Sequence, residues 1–229
     1  MAQTPLTSFD AANKLYEQGK YSEAAAAYQK LIQSGSASAA VYYNLGNSFF
    51  KHGELGRAIS AFRHAQQLSP RDPDVRANLQ FARNQRQGPS AIPGRWQGPL
   101  AKLSLNEWTV MTSSALWLIF LLLALGQWRP ALKPAISGYL LTLGIITGLL
   151  CACLGLSAYQ NLYQTNAIVI VRDASVHNGP FDESPNAFTV HDGAELTILD
   201  RKDQWLQVSA GSRRLGWIHA DQVLSSHGM

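Results

Sequence analysis

The chain has 229 residues, of which 46% are hydrophobic and only 15% charged, and a formal net charge of +4, against about a quarter charged in an ordinary soluble protein. Two cysteines exclude a disulfide-stapled scaffold, and the composition excludes a disordered tail or a collagen-like repeat. Residues 1–104 carry +6 and residues 165–229 carry −3, whereas the stretches from Trp108 to Trp128 and from Pro134 to Val171 carry no formal charge, as expected of two membrane spans. The basic excess is scattered, with no basic run or aromatic-basic RNA motif, which argues against a nucleic-acid partner.

Sliding the N-terminal third against itself by a period of about 34 residues aligns Phe9 with Tyr43, Asn13 with Asn47, Gly19 with Gly53, Ala24 with Ala58 and Tyr28 with Phe62. That period is the mark of tetratricopeptide helix pairs. The second copy is the better one: Tyr42, Leu45, Gly46 and Phe49 on its first helix, Ala58, Phe62 and Ala65 on its second, then Pro70 as the stop. The first copy has Ala11 and Ala12 in place of Leu45 and Gly46 and leaves through a Ser-rich exit. Asp72-Pro73-Asp74 starts a fifth helix with a capping carboxylate and a first-turn proline. The reading is a small α-solenoid over residues 1–86, with repeats at about 5–38 and 39–72 and a capping helix at 73–86.

Repeat pairs of this kind bind through the concave face of their first helices. The positions pointing there are Phe9, Asn13, Tyr16 and Glu17, then Tyr43, Asn47, Phe50 and Lys51. Asn13, Tyr16, Tyr43, Asn47, Phe50 and Lys51 are the candidate partner-binding residues. The two asparagines suit either hydrogen bonding to the backbone of an extended peptide or a plain helix surface; the aromatics form either the floor of a groove or packing between repeats.

A Pro/Gly-rich stretch, residues 87–104, separates the solenoid from a hairpin at 105–160, whose spans run over 108–128 and 135–159. Trp108 to Trp128 covers about 31 Å at helical rise, close to a hydrocarbon core of about 30 Å, with tryptophan at both interfaces. The short turn from Arg129 to Pro134 forces an antiparallel return, so both soluble parts face one compartment. Arg129 and Lys133 in that turn favour the turn inside and both domains outside the cytoplasm. Exporting the N-terminal part calls for a signal peptide, none is visible, and Met1-Ala2-Gln3 fits the new N-terminus left by cleavage after a small residue upstream. Gly144 and Gly148 form a GxxxG pattern suited either to hairpin packing or to dimerisation. Neither span carries an ionisable acid, base or histidine, which argues against a transporter or channel. Cys151 and Cys153 read as small packing residues rather than metal ligands, and no metal or cofactor is expected.

From Thr165 the pattern becomes short alternating strands: Ala167–Val171, Ala194–Leu199, Trp205–Val208 and Leu215–Ile218, with His191-Asp192-Gly193 a turn. Five short strands in about 60 residues, these four among them, suggest a small barrel. Gly179-Pro180, Phe188 through Gly193, Gln204 through Val208, Gly216-Trp217-Ile218 and Val223-Leu224 resemble the bacterial SH3-like domain. That resemblance implies a binding or positioning module over residues 165–226, with Trp205 and Trp217 shared between core and peptide platform. His177 and His191 have no cysteine to activate and the acids are dispersed, so no enzyme is read here.

The expected fold is thus a multidomain membrane protein: a tetratricopeptide α-solenoid, a two-helix transmembrane hairpin and a small all-β SH3-like barrel. That order resembles the BatE-like proteins of aerotolerance operons. The resemblance implies a non-enzymatic scaffold or adaptor in the bacterial cytoplasmic membrane, acting with von Willebrand A-type membrane proteins and a MoxR-type ATPase. The alternative is an envelope receptor whose SH3-like domain binds peptidoglycan peptides.

Overall fold

The computed structural model describes residues 5–88, 103–163, 166–211 and 214–225. The chain forms two compact units, one made of residues 1–94 and 164–229 and the other of residues 95–163.

The first unit opens with five helices, α1 (Pro5–Glu17), α2 (Tyr21–Gln33), α3 (Ala39–His52), α4 (Leu55–Leu68) and α5 (Pro73–Gln85). Each helix packs on the next in sequence. Gly19 and Gly53, equivalent positions in the two repeats, turn the chain at φ 76° and 89°, a left-handed geometry that glycine adopts without a Cβ penalty. Ser38 caps α3 by accepting from Val41 N–H, and Asp72 caps α5 by accepting from Asp74 and Val75 N–H. The core is small residues set against large ones: Ala12, Ala24 and Ala58 are fully buried beside Tyr28, Leu45, Ile59 and Phe62. Gly46 lets α3 and α4 meet, since a Cβ there would lie 2.6 Å from two ring carbons of Phe62.

Seven strands complete this unit: β1 (Asn166–Val169), β2 (Asp173–His177), β3 (Asn186–His191), β4 (Glu195–Lys202), β5 (Trp205–Ser209), β6 (Leu215–His219) and β7 (Val223–Ser225). All pairings are antiparallel, in the order β3-β2-β6-β5-β4-β1-β7. The sheet is open rather than the expected closed barrel: among the described residues β3 pairs only with β2, and the three-residue β7 only with β1. Two bulges, at Val176/His177 and Ile198/Asp200, interrupt the register and bend the strands. One face carries an apolar cluster that includes Val169, Val176, Val190, Leu196, Val208 and Ile218. β2 escapes a strand reading of the sequence because its alternation, Ala174 and Val176 inward, rests on only two modest side chains.

The second unit is a helical hairpin, α6 (Leu105–Trp128) and α7 (Lys133–Tyr163), joined through a 3-10 turn at Pro130–Leu132. Ser104 and Glu107 close a capping box at the start of α6. Only 11% of the apolar window of each helix is buried, so neither is the core helix of a packed domain. On α6 the covered positions are Trp108, Thr112, Ala115, Ile119, Leu122 and Gly126; on α7 they include Ile136, Leu140, Leu143, Thr147 and Leu150. Steps alternating between three and four residues are those of a left-handed helix pair. Gly138, Gly144, Gly148 and Gly155 lie off this seam with open space where a Cβ would go, so the GxxxG residues do not pack the hairpin itself.

Two substitutions should therefore part company. Gly46→Ala forces a Cβ into the buried Phe62 ring, an overpacking cost of about 1–3 kcal/mol that exceeds the gain in helix propensity, and should lower the melting temperature of the repeats. Gly144→Ala should leave the helicity and melting of the protein in detergent unchanged. Equal behaviour of the two would contradict this packing.

Candidate functional site

The candidate surface on the solenoid is built by α1, α3 and α5. Asn13 Oδ1 accepts from Tyr28 Oη at 2.5 Å and from Asn44 Nδ2 at 3.0 Å. Asn47 Oδ1 accepts from Asn78 Nδ2 at 3.0 Å, and the same amide donates to Tyr43 Oη at 2.9 Å. Both asparagines thus bond to another asparagine 31 residues further on, from the first helix of one repeat to the first helix of the next. Their carbonyl oxygens serve as register pins between repeats and are already engaged. Burial pushes the Tyr28 hydroxyl up to about 12, keeping it a donor to Asn13.

The remaining groove residues form an aromatic run. Tyr16 meets Tyr21 edge-on at 5.3 Å, and its hydroxyl is pushed up by burial and by the neighbouring Tyr21 and Tyr43. Phe9 meets the Tyr28 ring at 5.9 Å, and Tyr43 leans on Phe62 at 6.0 Å. Phe50 packs on Phe81 of α5 at 5.5 Å, and Phe81 is 56% exposed. Lys51 and Glu17 are exposed. The sequence reading does not single out Phe81, although it stands one full repeat period after Asn47 and so continues the same row.

In the sheet, register places Trp205, Trp217, His177 and His219 on the face opposite the apolar cluster. Trp205 is 9% exposed because His177 and His219 cover it edge-on at 5.3 and 5.2 Å. Each imidazole is held through Nδ1, His177 against Ser184 O and His219 against Asp221 Oδ1, both at 2.7 Å. Trp205 is therefore a covered side chain rather than an open platform, whereas Trp217 is half-buried. His191 ends β3, with Nδ1 2.7 Å from Asp173 Oδ1.

The structure adds a site that the sequence alone does not reveal, where the turn after β3 meets the helices. α4 has no side-chain cap from its own N-cap residue, Glu54. Asp192 supplies one across the fold: Leu55 N–H donates to Oδ2 at 2.9 Å and Gly56 N–H to Oδ1 at 2.8 Å. Position 56 must be glycine for this approach, because a Cβ would collide with the Val169 carbonyl. Three residues on, Glu195 accepts from Arg83 Nε at 2.6 Å and Nη2 at 2.8 Å and from Arg86 Nη1 at 3.0 Å, with Arg63 Nη1 at 3.5 Å. Burial alone would push the Glu195 carboxyl up, but the Arg83 hydrogen bond and the charges of Arg83, Arg63 and Arg86 outweigh it and hold it below the ordinary range. Burial moves Asp192 the other way, against the pull of the backbone N–H groups of Gly56, Leu55 and Gly193. Two signals in the sequence could have pointed here: the opposite charges of the two halves, and an α4 without a capping side chain before it.

Residues 9–73 match the tetratricopeptide repeat family, which covers both helix pairs. No curated protein matches the chain. Among the described residues no cluster of three or more His, Cys, Asp or Glu is arranged to hold a metal ion.

The asparagine pins and the exposed lysine give different outcomes when removed. Asn13→Ala strands the buried Tyr28 hydroxyl and should cost about 1–3 kcal/mol. Asn47→Ala should cost about 1 kcal/mol and Lys51→Ala less than about 0.5 kcal/mol, as read by thermal melting; an Asn13 variant as stable as the Lys51 variant would refute the pins.

Acid should also act on the turn. A depressed carboxyl stabilises the fold fully above the ordinary glutamate range, and that stabilisation is lost as pH falls through the folded-state value. Asp192, shifted upward, has the opposite linkage. Melting followed from pH 7 to pH 3 should therefore show an acid-side loss in the natural protein that is reduced in Glu195→Gln; identical profiles would count against the ion cluster.

Proposed function

We propose that this protein is a non-enzymatic, membrane-anchored scaffold that captures protein partners on the first-helix face of its repeats. The observation that carries this is the aromatic run Tyr16, Phe50 and Phe81, flanked by Lys51 and Glu17, left on that face after the asparagines are used internally. Aromatic anchors with a charged rim are what a protein interface requires.

The hairpin supplies the anchor, since two helices of 24 and 31 residues with little buried apolar surface suit lipid better than water. The docking of residues before the hairpin onto residues after it supports an even number of crossings. Arg83 and Arg86 can hold Glu195, and Asp192 can cap α4, only if both chain segments share one compartment. We further propose a bacterial cytoplasmic membrane as the site of the anchor, with both soluble parts on the extracytoplasmic side, following the two positive charges in the connecting turn. The order of modules, resembling BatE-like proteins, supports an envelope role in aerotolerance with von Willebrand A-type proteins and a MoxR-type ATPase system as partners. The peptidoglycan-receptor reading has less support, because Trp205 is covered by two imidazoles.

Capture tests the reading. The full chain in nanodiscs should retain a purified von Willebrand A-type membrane protein from the same envelope. Lys51→Glu with Phe81→Ala should reduce that retention at least tenfold with little change in melting. Undiminished retention by the double variant would remove the groove from the proposal, and extraction of the chain into buffer without detergent would remove the anchor.

A further inference from the structure

The turn Asp192-Gly193-Ala194-Glu195 is held as a bound peptide would be. Its first carboxylate sits on the bare N-terminus of a 14-residue helix and its last is gripped by guanidinium groups from two helices. Three features belong to the helical side alone. The start of α4 lacks its own capping side chain, so its N–H groups need an acceptor from elsewhere. Arg63, Arg83 and Arg86 converge on one carboxylate with side chains 20%, 21% and 26% exposed, leaving an excess of positive charge around Glu195. Residues 1–104 carry +6 in total, the same sign as this arginine cluster.

The sheet also adds apolar contact: Ile168 is buried in the helical core, and Gly193 lies against Leu55 and Ile59. An attachment in which carboxylates provide the specific contacts is open to exchange with another carboxylate-bearing segment.

We propose that the edge formed by the N-terminus of α4 and Arg63, Arg83 and Arg86 is a docking site for acidic peptides with two carboxylates three positions apart, and that the Asp192–Glu195 turn occupies it in the resting protein. A partner segment with the same spacing displaces the sheet from the helices. This site is separate from the aromatic face of the repeats and does not depend on the function proposed for that face.

The probe is a fluorescent peptide, acetyl-His-Asp-Gly-Ala-Glu-Leu-amide, titrated by anisotropy against the full chain in detergent, with the Asn/Gln version as control. The natural protein should bind it weakly, because the tethered turn competes at high local concentration. Asp192→Asn with Glu195→Gln should bind it at least tenfold more tightly, while Arg83→Glu, which opens the same contact from the helical side, should not. Spin labels at Lys20→Cys and Arg201→Cys, in a Cys151→Ser, Cys153→Ser background, should give one narrow distance that broadens on adding millimolar acidic peptide to the otherwise natural protein. This second measurement needs no change at the turn and stands even if the carboxylate variants fold poorly. Equal binding by the natural and carboxylate variants, binding that survives Arg83→Glu, or a distance unmoved by peptide would each overturn the proposal.

Discussion

A carboxylate cannot leave water without donors to replace its hydration, and that constraint organises the larger unit of this protein. Glu195 is buried only because Arg63, Arg83 and Arg86 surround it, and Asp192 is half-buried only because α4 offers unsatisfied N–H groups. The requirement runs both ways, since the arginines and the helix end are incomplete without the carboxylates. Gly56 and Gly193 provide the close approach that lets polar groups meet with little apolar surface between them. The result joins two stretches of chain that the apolar hairpin separates.

The repeats apply the same economy on a smaller scale. Each first helix contributes an asparagine whose carbonyl reaches an asparagine amide on the next first helix, at one fixed offset. Such a bond orients neighbouring repeats more narrowly than apolar contact alone. The difference between copies lies in the second partner: Tyr28 donates to Asn13, whereas its counterpart Phe62 has no hydroxyl and packs under Gly46 instead. The face is thus rigid where it is polar and open where it is aromatic, a division that suits recognition by shape.

Much of this is legible in the sequence where the signal is local or periodic. The recurrence between the two repeats gives the helix pairs, Gly53 and Asp72 mark their ends, and the uncharged runs give the hairpin. What escapes depends on which segments meet. Spacing puts Asn13 and Asn47 on the correct helices but cannot distinguish a peptide-facing amide from one that pins the next repeat. Trp205 reads as shared between core and platform; that it is covered follows from His177 and His219 reaching it from other strands, an arrangement set by the sheet order. Closure of the sheet is likewise a matter of pairing, which alternation does not encode. The acidic turn reads as a turn and nothing more, since its partners lie more than a hundred residues earlier.

The distance between α4 and its cap also bears on how the protein is made. Leu55 finds its acceptor 137 residues downstream, beyond the hairpin. As the chain leaves the ribosome, the repeats emerge first and the hairpin after them, while the beginning of α4 is still bare. Its completion waits for the segment beyond the hairpin to be synthesised and paired into a sheet, a long-range closure of the slow kind. Biogenesis of the helical part is therefore finished by the C-terminal part, and a ribosome that stops early leaves behind helices with an unanswered end.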